Sequence, residues 1–211
     1  MARLPALVDV IADIDDRPRG AIDFVARAVR EAGFIQTTKR GRGAAEMTEA
    51  DAAALLLGCY GSREPTQAVE TLQGFAELGR AKTRKRAAPA PSWLTGLMKA
   101  KTAFDAVAAA IEVAPVIERQ AERFDISVKL SRPWLGVIVS ARGSSADFRQ
   151  GFTIDAEFIR KTHDLRLPYE VTTTINLPVL LSLHWCLHPP EPPVSAPEEV
   201  RPKRSGARPQ R

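Results

Sequence analysis

The chain has 211 residues and a net charge of +5, from 30 Lys and Arg against 25 Asp and Glu. This length holds one or two domains, and 45% hydrophobic with 26% charged residues is ordinary for a soluble globular protein. No apolar run approaches the roughly 18 to 20 residues of a membrane span, and aspartates interrupt the N-terminal stretch where a signal peptide would be apolar. We therefore predict a cytoplasmic protein with no membrane partner.

Two helices are predicted first. Leu4 to Asp15 forms a short helix, which the segment Asp15 to Gly20 breaks. The second helix covers Ala21 to Ala32, where one buried face recurs at the helical spacing, namely Ile22, Val25, Ala26 and Val29. The opposite stripe carries three cations and one acid, namely Arg19, Arg27, Arg30 and Asp23. Gly33 follows where a helix commonly ends with a left-handed residue.

A basic loop comes next, with the three cations Lys39, Arg40 and Arg42 and two glycines. A helix with a basic outer face, a glycine stop and an Arg/Gly-rich hairpin is typical of a winged helix-turn-helix. In that motif the helix enters a major groove and the wing reaches flanking phosphates. The same residues also fit an amphipathic surface helix followed by a basic loop, so both interpretations stay open.

Residues 17–47 resemble the recognition-helix-and-wing segment of winged-helix bacterial regulators. The matching residues are Val29-Arg30-Glu31-Ala32-Gly33-Phe34-Ile35 and Arg40-Gly41-Arg42-Gly43. The resemblance implies a DNA-binding role, with one set of cations towards the groove and another on phosphates, namely Arg19, Arg27 and Arg30, then Lys39, Arg40 and Arg42. More loosely, the N-terminal region is similar to small uncharacterised proteins of alphaproteobacterial phages and prophages, which implies a context and no activity.

Further helices complete a mostly helical, winged-helix-like domain at 1–80. Thr48 with Asp51 predicts a capping-box start for the first of them. Five cations between Arg80 and Arg86 then precede an Ala/Pro-rich stretch, which predicts a linker and domain boundary at 81–92. The cationic run is interpreted either as a phosphate-binding arm or as a solvated linker.

The second half predicts an α+β domain at 93–188, so the overall class is α+β. A long helical stretch, Trp93 to Phe124, is kinked or split at Pro115. Period-two alternation then predicts a hairpin and two further strands, at 126–130, 135–139, 148–154 and 169–175. An apolar helix after Asn176 closes the domain against the sheet. Residues 189–211 predict a disordered, Pro-rich tail with a basic end.

Catalytic and metal-binding patterns do not rise above chance. His184 and His188 have a spacing that some metal sites use, but the acidic residue of a His-Glu-x-x-His helix and a Cys-x-x-Cys pair are both missing. Cys59 and Cys186 are interpreted as buried thiols, with a disulfide between them left open. We predict no catalytic residue, no metal and no cofactor, and therefore no enzyme.

Two functional hypotheses follow. The first is a DNA-binding protein, of the phage or prophage transcriptional-regulator type, that binds duplex DNA and forms a homodimer through its C-terminal domain. The alternative is a protein-interaction module with a host protein as partner, such as a phage-encoded inhibitor of a host nucleic-acid machine or an assembly factor.

Overall fold

A computed structural model of the chain describes residues 2–15, 17–36, 46–80, 84–86, 91–120, 124–132, 135–144, 151–159 and 171–190. These residues contain seven α-helices and six β-strands, so the predicted α+β class is confirmed. Within the same residues, no helix combines the length and the apolar character that a membrane crossing needs.

The helices are α1 (Leu4–Ile14), α2 (Arg19–Glu31), α3 (Glu49–Gly61), α4 (Ala68–Ala76), α5 (Thr95–Lys99), α6 (Ala103–Glu118) and α7 (Leu177–Leu187). Short 3-10 turns at Pro65–Gln67 and Ser92–Leu94 lead into α4 and α5. The strands are β1 (Gly79–Arg80), β2 (Arg84–Arg86), β3 (Phe124–Arg132), β4 (Gly136–Ser144), β5 (Gly151–Ile159) and β6 (Val171–Asn176).

The strands form one antiparallel sheet in the order β1-β5-β4-β3-β6. β2 also pairs with β5, beside β1, so the six strands occupy five positions. The predicted hairpin is confirmed as β3 and β4, where Val128 lies opposite Val139 and, on its other side, opposite Ile175. These three side chains are buried because alternate residues of a strand face the same side.

The third predicted strand is displaced along the chain. It was expected at 148–154, and residues 145–150 lie outside the described part, while β5 continues to Ile159. The continuation places Ala156 opposite Val139 and Phe158 opposite Val137, and all four side chains are buried. Burial of Ala156 and Phe158 therefore fixes the register of β5 against β4. The fourth predicted strand is present as β6.

Part of the predicted linker belongs to the sheet. Arg84–Arg86 is strand β2, which pairs with residues 153–155 of β5. The guanidinium of Arg80 donates to the carbonyl oxygens of Ala100 and, at 2.7 Å, of Met98. Those carbonyls lie at the end of α5, where they have no helical donor. The Arg80 side chain is therefore engaged within the protein and residues 84–86 form a strand, while the phosphate-binding interpretation of the run stays a prediction.

The two halves of the chain share one core. Buried hydrophobic residues from Ala2 to Leu187 form a single cluster. α3 packs against α6, and α1 packs against α7, so helices on either side of the predicted boundary are neighbours. The boundary at 81–92 does not divide the buried side chains, and the proposal that each half is a separate domain stays a prediction.

The long helical stretch after Trp93 is broken near Ala100 and not at Pro115. The backbone of Ala100 is extended, and a capping box between Thr102 and Asp105 starts α6. α6 then continues through Pro115 to Glu118. Proline has no N–H to donate to the carbonyl one turn earlier, that of Ile111, and α6 continues past this position.

α7 begins after Asn176 with Pro178 in its first turn, as predicted, although the Asn176 side chain makes no capping hydrogen bond. The helix packs chiefly against α6 and α1, with smaller contacts to β3 and β6. Its buried residues form one stripe, Leu180, Leu183 and Leu187. Trp185, by contrast, is 37% exposed. The prediction of an apolar helix buried mainly against the sheet is therefore wrong.

Substituting Gly61 tests the packing of α4 on α3. A Cβ at Gly61 would lie 2.4 Å from Cε2 of the fully buried Phe75, so we expect Gly61→Ala to lower the free energy of unfolding by about 1–3 kcal/mol. Gly20→Ala is the matched control, because a Cβ there meets nothing within 4 Å. Urea unfolding at unchanged m-value measures both variants, and equal midpoints would contradict the packing described.

Candidate nucleic-acid interface

α2 is an amphipathic helix held on three sides. It packs against α1, α3 and α4. Its inner face matches the predicted face, with exposures of 3% or less at Ile22, Val25, Ala26 and Val29. The side facing away from these neighbours carries the cations that the sequence singled out, so α2 presents them on the surface of the protein.

Arg19, the first of these cations, is matched by two carboxylates. Its guanidinium lies 2.5 Å from Asp9 of α1 and 2.9 Å from Asp23 one turn along α2. All three side chains are about half exposed, so the pairs add little stability. They do offset the positive charge locally. The groove-contacting role of Arg19 stays a prediction, but two carboxylates offset its positive charge.

Arg27 and Arg30 differ from Arg19 in this respect. Arg27 is exposed and Arg30 half-buried, and in the parts of the chain that the structure describes neither one forms an ion pair. Phe24, one turn before Arg27, is 50% exposed. With no ion pair among the described residues, the two guanidinium groups can bind anions, and the exposed ring beside them can bind an apolar group.

A groove runs between α1 and α2 beneath these side chains. Its volume is about 460 Å³. The part of the lining from α1 is apolar and consists of Leu4, Pro5 and Val8. The part from α2 consists of Gly20, Asp23, Phe24, Ala26, Arg27 and Arg30. Arg27 and Arg30 therefore border a depression whose lining is partly polar and partly apolar.

The end of α2 directs the chain towards the predicted wing. Gly33 has a φ of +83°, in the left-handed region that was predicted for it. Its N–H donates to the Arg30 carbonyl at 3.0 Å, and the N–H of Phe34 donates to the Val29 carbonyl at 3.1 Å, which together form a Schellman motif. The Phe34 ring stacks on Phe104 at 5.8 Å, so α6 anchors this turn.

The three other predicted DNA contacts, Lys39, Arg40 and Arg42, lie outside the described residues. The structure does describe both ends of their segment. The Asp51 carboxylate accepts from the Gln36 N–H at 3.0 Å and from the Thr48 N–H and hydroxyl at 2.9 and 2.8 Å. The capping box predicted from Thr48 and Asp51 is confirmed, while the bond to Gln36 was missed. One carboxylate thus holds the two ends together.

The turn between α1 and α2 contains an ion pair that sequence reasoning missed. Arg17 binds the Asp15 carboxylate through Nε and Nη2, the latter at 2.6 Å, and its guanidinium lies 5.7 Å from the ring centre of Tyr60. Although burial acts to raise the pKa of Asp15, the hydrogen bonds from Arg17 hold it below its usual value. The Arg17 side chain therefore fixes the turn through its contacts with Asp15 and Tyr60.

The cysteines are both free thiols, so no disulfide joins Cys59 to Cys186. Burial raises the pKa of Cys59 to about 12. A thiol with this pKa stays protonated near neutral pH and is a poor nucleophile. Within the described ranges, no three His, Cys, Asp or Glu side chains are close enough to hold a metal ion.

A small ionisable cluster joins α7 to α3. His188 Nε2 lies 2.6 Å from the Glu49 carboxylate, and the rings of His184 and His188 are 4.9 Å apart. Burial, reinforced by the neighbouring His188, lowers the pKa of His184, although the Ile111 backbone and the carboxylates of Glu49 and Glu112 oppose the shift. Its Nδ1 is buried without a hydrogen-bond partner among the described atoms. His184 is therefore poorly suited to carry a proton.

Comparison of the chain with protein-family models, with curated proteins and with solved structures finds no match.

Removing the Asp51 carboxylate should destabilise the protein more than removing that of Asp105. Asp51 is buried and holds the N–H of Gln36 in addition to its capping box, whereas Asp105 caps α6 from an exposed position. We expect Asp51→Ala to cost about 2–3 kcal/mol and Asp105→Ala about 1 kcal/mol. Urea unfolding measures the two, and equal costs would show that the bond to Gln36 contributes nothing.

Acid should destabilise the protein through His184. Because the folded-state pKa lies below the value of about 6.5 for a free histidine, the unfolded chain binds this proton more tightly. The contribution is therefore present above about pH 6.5 and is lost as the pH falls below it. Urea unfolding between about pH 8 and pH 5.5 should show a smaller pH slope for His184→Gln than for the unchanged protein. Identical slopes would rule His184 out as the titrating group.

Proposed function

We propose that the protein is a non-enzymatic DNA-binding protein, of the phage or prophage transcriptional-regulator type, with α2 as its contact helix. The observation that carries the proposal is the position of Arg27 and Arg30. They lie on the outward side of α2, without ion pairs among the described residues, in the last two turns before a left-handed Gly33 that leads into the basic segment 39–42. A basic helix followed by a basic loop supports a winged-helix contact.

The roles of the cations follow from their surroundings. Arg27 and Arg30 face duplex DNA with their charge unmatched, while Arg19 contributes less because Asp9 and Asp23 already pair with it. Lys39, Arg40 and Arg42 bind flanking phosphates, as the resemblance implies. Most of the binding free energy then comes from phosphate contacts, which makes the affinity strongly dependent on salt.

The C-terminal half supplies the dimer contact in this proposal, because helix-turn-helix proteins usually bind paired half-sites. It is built on the sheet and shares its core with the N-terminal helices. A dimer formed there would hold two copies of α2 at a fixed separation, and this separation would set the spacing of the half-sites.

Fluorescence anisotropy with a labelled random-sequence duplex tests the DNA contact. We expect binding that weakens steeply with salt, and we expect Arg27→Gln/Arg30→Gln to weaken it by about 1–3 kcal/mol for each lost groove contact. The matched control is Lys99→Gln/Lys101→Gln, which removes the same charge from exposed positions at the end of α5.

Equal losses in the two double variants would attribute the binding to net charge alone and would contradict a contact through α2. An absence of duplex binding even at low salt would overturn the proposed function.

A second candidate, the protein-interaction module, is favoured by one specific observation. Phe24 is 50% exposed beside two unpaired arginines, and aromatic and arginine side chains dominate the binding energy of protein interfaces. A host protein would then bury Phe24. Phe24→Ser would weaken that complex strongly while reducing the affinity for a random duplex only slightly, which separates the two candidates.

A further inference from the structure

The groove between α1 and α2 combines three properties of a small-molecule site. Its volume of about 460 Å³ lies within the range of ligand pockets, about 300–1,000 Å³. Its floor and walls include Leu4, Val8 and Phe24, while Arg27 and Arg30 border it. Pockets of this kind bind the apolar part of a ligand by burial and orient it with a few polar groups.

The absence of a side chain at Gly20 keeps one wall of the groove open. Gly20 lies in the first turn of α2, and a Cβ built there meets nothing within 4 Å. Gly20 lines the groove, and a larger residue at this position would meet no neighbouring atom at its Cβ.

The charges at the groove favour an anion. The Asp23 carboxylate, which also lines the groove, is paired with Arg19 at 2.9 Å. Arg27 and Arg30 have no ion pair in the described segments, so two guanidinium groups remain to bind an incoming acid. Guanidinium binds a carboxylate through two parallel hydrogen bonds, which fixes the orientation of the ligand as well as its charge.

We propose that the groove between α1 and α2 is a binding site for an amphipathic carboxylate. The apolar tail lies along Leu4, Val8 and Phe24, and the carboxylate pairs with Arg27 and Arg30. Burial of the tail and pairing of the head are both needed, so a short acid and a neutral chain of equal length each bind less well.

The site also gives α2 a means of regulation, a consequence that rests on the proposed DNA-binding function. A bound carboxylate occupies the two arginines that would contact DNA and adds a negative charge beside them. The ligand and the duplex therefore compete for the same side chains, and by linkage each lowers the affinity for the other by the same factor.

Isothermal titration calorimetry of the full chain with decanoate, kept below its micelle concentration, tests the site directly. We expect saturable binding of one decanoate, with acetate and decanol each binding at least about tenfold more weakly. Binding of decanol as tight as that of decanoate would overturn the role of the arginines. Binding of acetate as tight as that of decanoate would overturn the role of the groove.

Two variants change the site by independent means. Gly20→Leu fills the groove and keeps every charge, and Arg27→Gln/Arg30→Gln removes the charge and keeps the groove; each should weaken decanoate binding by about tenfold or more. Lys99→Gln/Lys101→Gln should leave it unchanged. Urea unfolding of each variant shows that it is folded. If both groove variants are folded and bind decanoate like the unchanged protein, the proposal is wrong.

A competition experiment separates this proposal from the DNA-binding one. Decanoate added to the labelled duplex complex should lower the anisotropy of the unchanged protein and have no effect on the residual binding of Gly20→Leu. If the duplex does not bind at all, the proposed function fails while the calorimetric result decides the groove alone. If the duplex binds and saturating decanoate does not displace it, the regulatory consequence is overturned.

Discussion

The burial of α3 is the constraint on which the other elements depend. From Ala52 to Leu57 no residue is more than 1% exposed. A helix that is apolar on all sides is stable only inside a protein, and α2, α4, α6, α7 and β3 all pack against this one. Gly58 faces α2, where an added Cβ would lie 3.1 Å from the Val29 side chain. The orientation of α2, and therefore of its arginines, is set from beneath by α3.

Much of the secondary structure could be predicted because its causes are local. The buried stripe of α2, the left-handed Gly33 and the two sides of the β3–β4 hairpin depend on residues within a few positions of one another. The displaced β5 and the strand within the predicted linker could not be predicted this way, because each is fixed by a distant partner. Arg84 lies opposite Asp155 in the sheet, a pairing across some seventy residues of chain.

The same distinction applies to the candidate interface. The sequence places Arg19, Arg27 and Arg30 on one stripe and gives no reason to separate them. The turn before α2 brings Asp9 to Arg19, ten residues away, while Arg27 and Arg30 form no ion pair with the part of the chain that the structure describes. The groove was missed for a related reason, since a third of its lining comes from α1, namely Leu4, Pro5 and Val8, and these residues carry no signal until the two helices are packed together.

The pairing of β5 with two short strands has a consequence for how the protein behaves at high concentration. A sheet edge offers unpaired backbone groups that another chain can extend. Here that edge is formed by strands of two and three residues, and the longer one consists of Arg84, Lys85 and Arg86. A second copy approaching edge to edge would meet only a very short ladder. The shortness of β1 and β2 therefore opposes aggregation through this edge.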